Sequence, residues 1–356
     1  MNQRHIPAFA FAAALLAAPA FVSAPAAAAV PKNALGAIAV SPNGKTVLAA
    51  GDNRVLYVLD ADKLTVRKKI WIGVNPLNLY YAKDGGTVVL HDTKGGLRFF
   101  ATKDWKTIAE VTDAESVAIA EDADLIYAVG RPRGYREKAK TAVYAYELGT
   151  GKQVLDASVM GSLSSIGTLP DGSRIFTLTR ADKSDDEKKE KTPNNLKGIE
   201  KEMHKLQHDG RTAEFITLDK TGEEIGRFTT WYSARVTELV GGAGSIFGVS
   251  YNNVNARIDP ASKEVKLFQA KNSYNYGIGY SAKQGVLATG GLANGSITSL
   301  EDGTGVSYKI DRIGGWPEYF KGFAIAGDGT IYGGTTAYRL VKIAPGGKVE
   351  KTLPVY

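Results

Sequence analysis

The chain has 356 residues, 44 Lys and Arg against 37 Asp and Glu for a formal charge of +7, and no cysteine. Without cysteine there are no disulfides, thiolate metal centres, iron–sulfur clusters, CxxCH haem attachment or cysteine nucleophiles. Both signs of charge are interspersed, which suits a solvated surface better than a nucleic-acid footprint, where the excess would be gathered on one face.

Residues 1–29 have the pattern of a secretory signal. Arg4 supplies a positive start, Ile6 to Phe21 is apolar, and small residues follow through Ala29. The apolar run is about sixteen residues, short of the ~20 needed to span a bilayer. Cleavage is expected after Ala27-Ala28-Ala29 rather than after Val22-Ser23-Ala24, which Pro25 follows. The mature chain is expected to be soluble, periplasmic or secreted, with no membrane span.

Ala34 to Ile72 holds four short runs rich in Val, Ile, Leu and Tyr. Turn residues at Ser41-Pro42-Asn43-Gly44, Gly51-Asp52-Asn53 and Asp60-Ala61-Asp62 separate them, which describes an antiparallel meander. The first turn recurs at Lys83-Asp84-Gly85-Gly86, Glu121-Asp122-Ala123-Asp124, Pro170-Asp171-Gly172-Ser173, Gly241-Gly242-Ala243-Gly244, Ala282-Lys283-Gln284-Gly285 and Gly327-Asp328-Gly329-Thr330. Successive starts lie 42, 38, 49, 71, 41 and 45 residues apart. Without about thirty inserted residues in the fourth interval, every spacing matches a four-stranded propeller blade of ~40–50 residues.

A second mark follows each third run in phase, as at Leu59-Asp60, Leu218-Asp219-Lys220-Thr221-Gly222 and Ile258-Asp259-Pro260. The fold class predicted is therefore all-β, a seven-bladed propeller of four-stranded antiparallel blades over residues 30–356, with one charged, partly helical insert at 181–212 in blade four. The units run over 33–72, 74–111, 114–158, 163–230, 234–268, 274–310 and 319–353. The chain begins on an inner strand and ends on an outer one, which leaves little length for a borrowed closing strand.

The phrase AIAVSPNGKTVLAAGDNRVLYVLDADKLTV, echoed by GTLPDGSRIFTLTR and ITLDKTGEEIGRF, resembles bacterial YVTN-type propellers. This is the YncE-like group, akin to quinoprotein-like and WD-like repeat proteins. The resemblance implies an exported seven-bladed scaffold and maps no catalytic residue. The Trp-Asp and Gly-His marks of WD repeats are absent, as is the tryptophan docking signature of quinoprotein enzymes.

In a propeller, the blade-to-blade connections share a face with the loops between second and third strands, and function collects on such loops. The candidate binding residues on that rim are Asn75, His91, Asp92, Glu115, Arg131, Arg133, Tyr232, Arg235, Asn252, Tyr274, Asn275, Trp316, Glu318 and Tyr319. Trp, Tyr and Arg are the types enriched at binding hot spots, although packing between blades would use the aromatics equally well. His91 beside Asp92 has the composition of an acid–base pair.

The insert lies in a loop of this kind. Ala181 to Arg211 carries eight basic and eight acidic residues, so residues 182–191 read as a solvated segment. Leu196, Ile199, Met203 and Leu206 recur at helical spacing and predict a short amphipathic helix from Asn194 to Gln207, with its stripe against its own protein. Glu200, His204 and His208 follow one another at intervals of four, a weak divalent-metal pattern without the HExxH order. GxxxxGK[ST] and GxSxG both fail on inspection, and no GxGxxG opens a helix.

The expected function is a non-enzymatic recognition scaffold, monomeric, binding a protein, peptide or envelope polymer on the insert-bearing face and no nucleic acid. No cofactor is predicted, and a divalent metal is the one candidate. The alternative is a lactonase- or lyase-type enzyme in the central funnel, using Glu115, Glu318 and Asp92 with a divalent ion.

Overall fold

The protein is described here by a computed structural model covering residues 34–134, 138–180, 182–183, 190–208, 210–232, 236–242, 245–250, 254–269, 275–314 and 317–355. The expected signal segment and the rim candidates Arg235, Asn252, Tyr274 and Trp316 lie outside the described residues.

Each repeat folds as its turns dictate. Blade one pairs Ala37–Val40, Thr46–Ala50, Val55–Asp60 and Thr65–Trp71 in sequence, all antiparallel. Its first turn closes because Gly44 takes φ +70, where a side chain would be strained. Asn43 Oδ1 accepts from Lys45 N at 3.0 Å, and Ser41 Oγ accepts from Thr46 N at 3.0 Å.

Seven such sheets form the ring, a seven-bladed β-propeller. Inner strands are Ala37–Val40, Pro76–Tyr81, Ser116–Ala120, Leu163–Thr168, Val236–Gly242, Gly277–Ser281 and Phe320–Ile325. Blade four pairs Leu163–Thr168, Arg174–Thr179, Arg211–Asp219 and Glu224–Thr230, and the two-residue strand Asp182–Lys183 pairs beside Arg211 and Thr212.

The strand period of two explains the core. Successive residues point to opposite faces of a sheet, and here each face meets a different neighbouring blade. Val88 packs toward blade one and Val89 toward blade three. Ile246 likewise packs toward blade four and Phe247 toward blade six. Both faces of the middle strands are therefore apolar, whereas the outer strand Thr65–Trp71 is almost wholly exposed. Seven apolar clusters result, one in each gap between blades.

Blade seven consists of Phe320–Ile325, Ile331–Thr335, Arg339–Ile343 and Val349–Pro354, and among the described residues no further strand pairs with it. Packed side chains and the backbone bond from Leu35 N to Thr335 O at 3.3 Å close the ring. Leu35, Val47 and Tyr57 of blade one share a buried cluster with Tyr332, Leu340 and Val355. Tyr338 Oη accepts from Asn53 N at 2.9 Å and donates to Asp52. The seam is tight: a Cβ on Gly322 would stand 1.7 Å from Gly36 O.

The insert joins the second and third strands of blade four and carries the helix Gly198–Gln207. The helix starts four residues later than its periodicity predicts. Gly198 sits at φ +53, and Leu196 N donates back to Pro193 O at 3.3 Å in a separate turn. Leu206 is buried among Phe176, Phe215 and Tyr232, so the helix is anchored between blades four and five, while Met203 remains 37% exposed. Among the described residues no helix is long and apolar enough to cross a membrane.

Candidate functional site: the axial pocket

The free edges of the inner strands surround the ring axis and leave a pocket of about 370 Å³, within the size range of ligand sites. Its mouth lies among the turns between first and second strands, at Ser41, Lys83, Asp122, Asp124, Lys283 and Gln284. These turns occupy the opposite end of the inner strands from the blade-to-blade connections and the insert. The mouth is braced across blades: Lys83 N donates to Asp124 Oδ1 at 2.7 Å.

Further in, three polar side chains from separate blades converge. Tyr80 comes from blade two, Glu238 from blade five and Tyr280 from blade six, and all three line the pocket. Burial raises the Glu238 carboxyl to about 7. The residue is partly buried among the inner strands that line the pocket, and loss of surrounding water disfavours its charged form. Burial also pushes both phenols upward, and the nearby Glu238 carboxylate adds to the effect. Neither tyrosine ionises near neutral pH, and each offers an O–H donor beside an acid that exchanges its proton there.

Two other charges sit on the wall. Glu121 near the mouth is raised by burial and by Asp122, with Lys283 opposing. Lys321 is lowered by burial, partly offset by Asp52, and lies 5.8 Å from the centre of the Tyr276 ring. The assembly can hold a proton near pH 7, donate hydrogen bonds from two phenols, and offer a carboxylate beside aromatic faces.

Most of the described rim candidates are engaged in the fold. His91 is buried, with Nε2 2.7 Å from Ala114 O, and burial lowers its pKa despite the Ala114 carbonyl and the nearby carboxylates. Asp92 does not form the expected acid–base pair with it. Asp92 Oδ1 instead accepts from Lys94 N at 2.7 Å and Gly96 N at 3.1 Å, fixing its own turn. Tyr232 is 1% exposed and its hydroxyl meets Gly248 O at 2.9 Å and Val254 O at 2.8 Å. Asn275 is buried and donates to Asn255 Oδ1 at 3.3 Å.

Glu318 does not reach the funnel. It is buried against Arg339, whose Nε donates to Oε1 at 2.8 Å and whose Nη2 donates to Oε2, while Thr335 Oγ1 donates to Oε1 at 2.6 Å. Glu115 is paired at the exposed rim, accepting from Arg131 Nε at 2.9 Å and Nη2 at 2.7 Å. Asn75 accepts from Arg54 Nε at 3.3 Å. Tyr319 packs on Tyr276 with ring centres 4.8 Å apart. Arg133 pairs through its backbone with Lys140 and is exposed.

On the insert the structure brings His204 and His208 together but not Glu200, which is exposed on the helix. Glu190 takes its place in the group. The carboxylates lining the pocket are thus Glu121, Asp122, Asp124 and Glu238, and the sequence reading named none of them as funnel acids. Glu238 left a trace: an acid within the apolar inner run VTELVGG is a residue type that strands of this kind rarely bury.

A scan against protein-family models finds none that matches this chain, and a search of curated proteins finds no match either.

Proposed function

We propose that the protein is an exported recognition propeller of the YVTN type, non-catalytic, that takes a small cationic ligand in its axial pocket. The convergence of Glu238, Tyr80 and Tyr280 on the wall of the pocket carries this assignment. A carboxylate beside two aromatic rings is the chemistry that recognises an ammonium group, and pockets with few convergent polar groups are the usual ligand sites. A bound cation would favour the ionised carboxylate, so uptake is coupled to proton release from Glu238.

The test is calorimetric titration with primary and quaternary ammonium compounds at pH 6 and pH 8. Expected are tighter binding at pH 8 and loss of binding in Glu238→Gln. Absence of binding across the panel, or equal affinity in the variant, would refute the assignment. Chemical conversion of a bound compound would instead make Glu238 a general acid–base in a funnel enzyme.

A second reading places a protein or envelope-polymer partner on the insert-bearing face. The exposed Arg133, the solvent-facing Arg131–Glu115 pair and the helix anchored on that face favour it. Capture from envelope extract that disappears when residues 181–212 are replaced by a short linker, with the ammonium titration unchanged, would support it.

A further inference from the structure

We propose that Glu190, His204 and His208 form a binding site for a divalent transition cation of the zinc class on the blade-four insert. His204 and His208 lie one turn apart, so their rings share a helix face with centroids 4.3 Å apart. Glu190, from the chain leading to the helix, brings Oε2 to 2.9 Å from His208 Nδ1. One donor atom from each of the three lies within 4.8 Å of the other two. Donors held ~2.0–2.2 Å from a tetrahedral zinc stand roughly 3.3–3.6 Å apart, so modest side-chain rotations bring this set to coordinating distances.

A second observation separates this cluster from an ordinary surface ion pair. His204 Nδ1 is buried and has no hydrogen-bond partner among the described residues. The His208–Glu190 contact accounts for two of the three side chains and leaves that nitrogen unexplained. A buried imidazole nitrogen without a partner is unfavourable, and a lone pair there is what a borderline-soft cation binds. Two imidazoles with one carboxylate select zinc, copper or nickel over magnesium or calcium. His208 and Glu190 keep 41% and 59% of their side-chain surface, so an ion has access.

Three protein donors leave a fourth position for water or an exchangeable ligand. The cation would join the segment at Glu190 to the helix, and Leu206 already fixes that helix between blades four and five. Metal binding is therefore expected to tie Glu190 to the helix without altering the axial pocket on the other face.

The experiment is calorimetric titration of the tag-free mature protein with Zn²⁺, and with Cu²⁺ for electron paramagnetic resonance. Expected are one equivalent of Zn²⁺, a Cu²⁺ spectrum with two nitrogen donors, and losses of more than about tenfold in affinity for His204→Ala and His208→Ala, with Glu190→Gln also weakened. Melting curves of the variants without metal establish that they fold. Absence of saturable one-to-one binding would overturn the proposal, as would a double His204→Ala/His208→Ala variant that binds as tightly as the parent. Unchanged affinity in Glu190→Gln would remove that carboxylate from the site and overturn the three-donor assignment.

Discussion

Arg339 grips Glu318 side-on, with Nε and Nη2 donating to the two carboxylate oxygens, and it uses the same Nη2 to hold Asp311 O at 2.6 Å. The side chains keep only 10% and 1% of their surface, so the pair is sealed from water. A buried pair contributes little against an apolar replacement of both members, yet removing one leaves an uncompensated charge. Arg339→Met should destabilise the protein by about 3–5 kcal/mol, and Glu318→Gln should also destabilise it, both read from urea unfolding midpoints. Combining Arg339→Met with Glu318→Met should recover part of the loss.

Glu238 gives a pH signature of opposite sense to an ordinary salt-bridged acid. Its folded carboxyl is raised from 4.5 to about 7. The folded state binds the proton more tightly, so stability is fully present below pH 4.5 and declines as pH rises toward 7. The loss is roughly 1–3 kcal/mol after allowance for pore water. Glu238→Gln should remove this decline: relative to the parent it should be more stable at pH 8 and equal at pH 4. Denaturant melts across that range provide the check, and parallel curves at every pH would contradict the burial of this acid.

The turn aspartates act in the other direction. Backbone N–H groups hold the carboxyls of Asp171, Asp259, Asp302 and Asp328 below their ordinary value of 3.8, and Thr221 Oγ1 does the same for Asp219. A depressed folded pKa stabilises above the unfolded value and is lost as pH falls through the folded one. The parent should therefore lose stability below pH 3.8. A variant with Asp219→Ala, Asp259→Ala and Asp302→Ala should be less stable at pH 7 and show a shallower acid limb, followed by circular dichroism.

Backbone contact at the ring seam leaves no room for a methyl group at Gly322, where an added Cβ meets Gly36 O at 1.7 Å. Gly322→Ala should cost about 3 kcal/mol by overpacking and lower the melting temperature. Gly346, with nothing within 4 Å of its would-be Cβ, is the control. Gly346→Ala should stay within about 0.5 kcal/mol of the parent.

Architecture was legible in this chain because it is written in turns. Ser41-Pro42-Asn43-Gly44 and its relatives repeat in phase with the third-strand aspartates, and the turns at Asn43, Asp219, Asp259 and Asp328 form the local hydrogen bonds their residue types favour. The helix was legible from Leu206 and its spacing, but its start was not, since Gly198 adopts a positive φ that periodicity does not register. The site was hardly legible. Which residues face the axis depends on how each inner strand is rotated, and an inner strand packs laterally against two blades while its edge meets the pore. Tyr80 and Tyr280 therefore look like core residues in sequence. Three rim candidates show the converse: Tyr232, Asn275 and Glu318 are rim residue types, yet inter-blade packing and hydrogen bonding engage their polar atoms.

Closure between the first and last blades has a kinetic consequence. The bond from Asn53 N to Tyr338 Oη bridges 285 positions, so the last join of the ring unites the first blade with the seventh. Contacts of such separation form late and slow the search for the native state. During synthesis the first blade must keep one apolar flank uncovered until the seventh has emerged. That waiting surface, made of Leu35, Val47 and Tyr57, is where a holding chaperone would have most to protect.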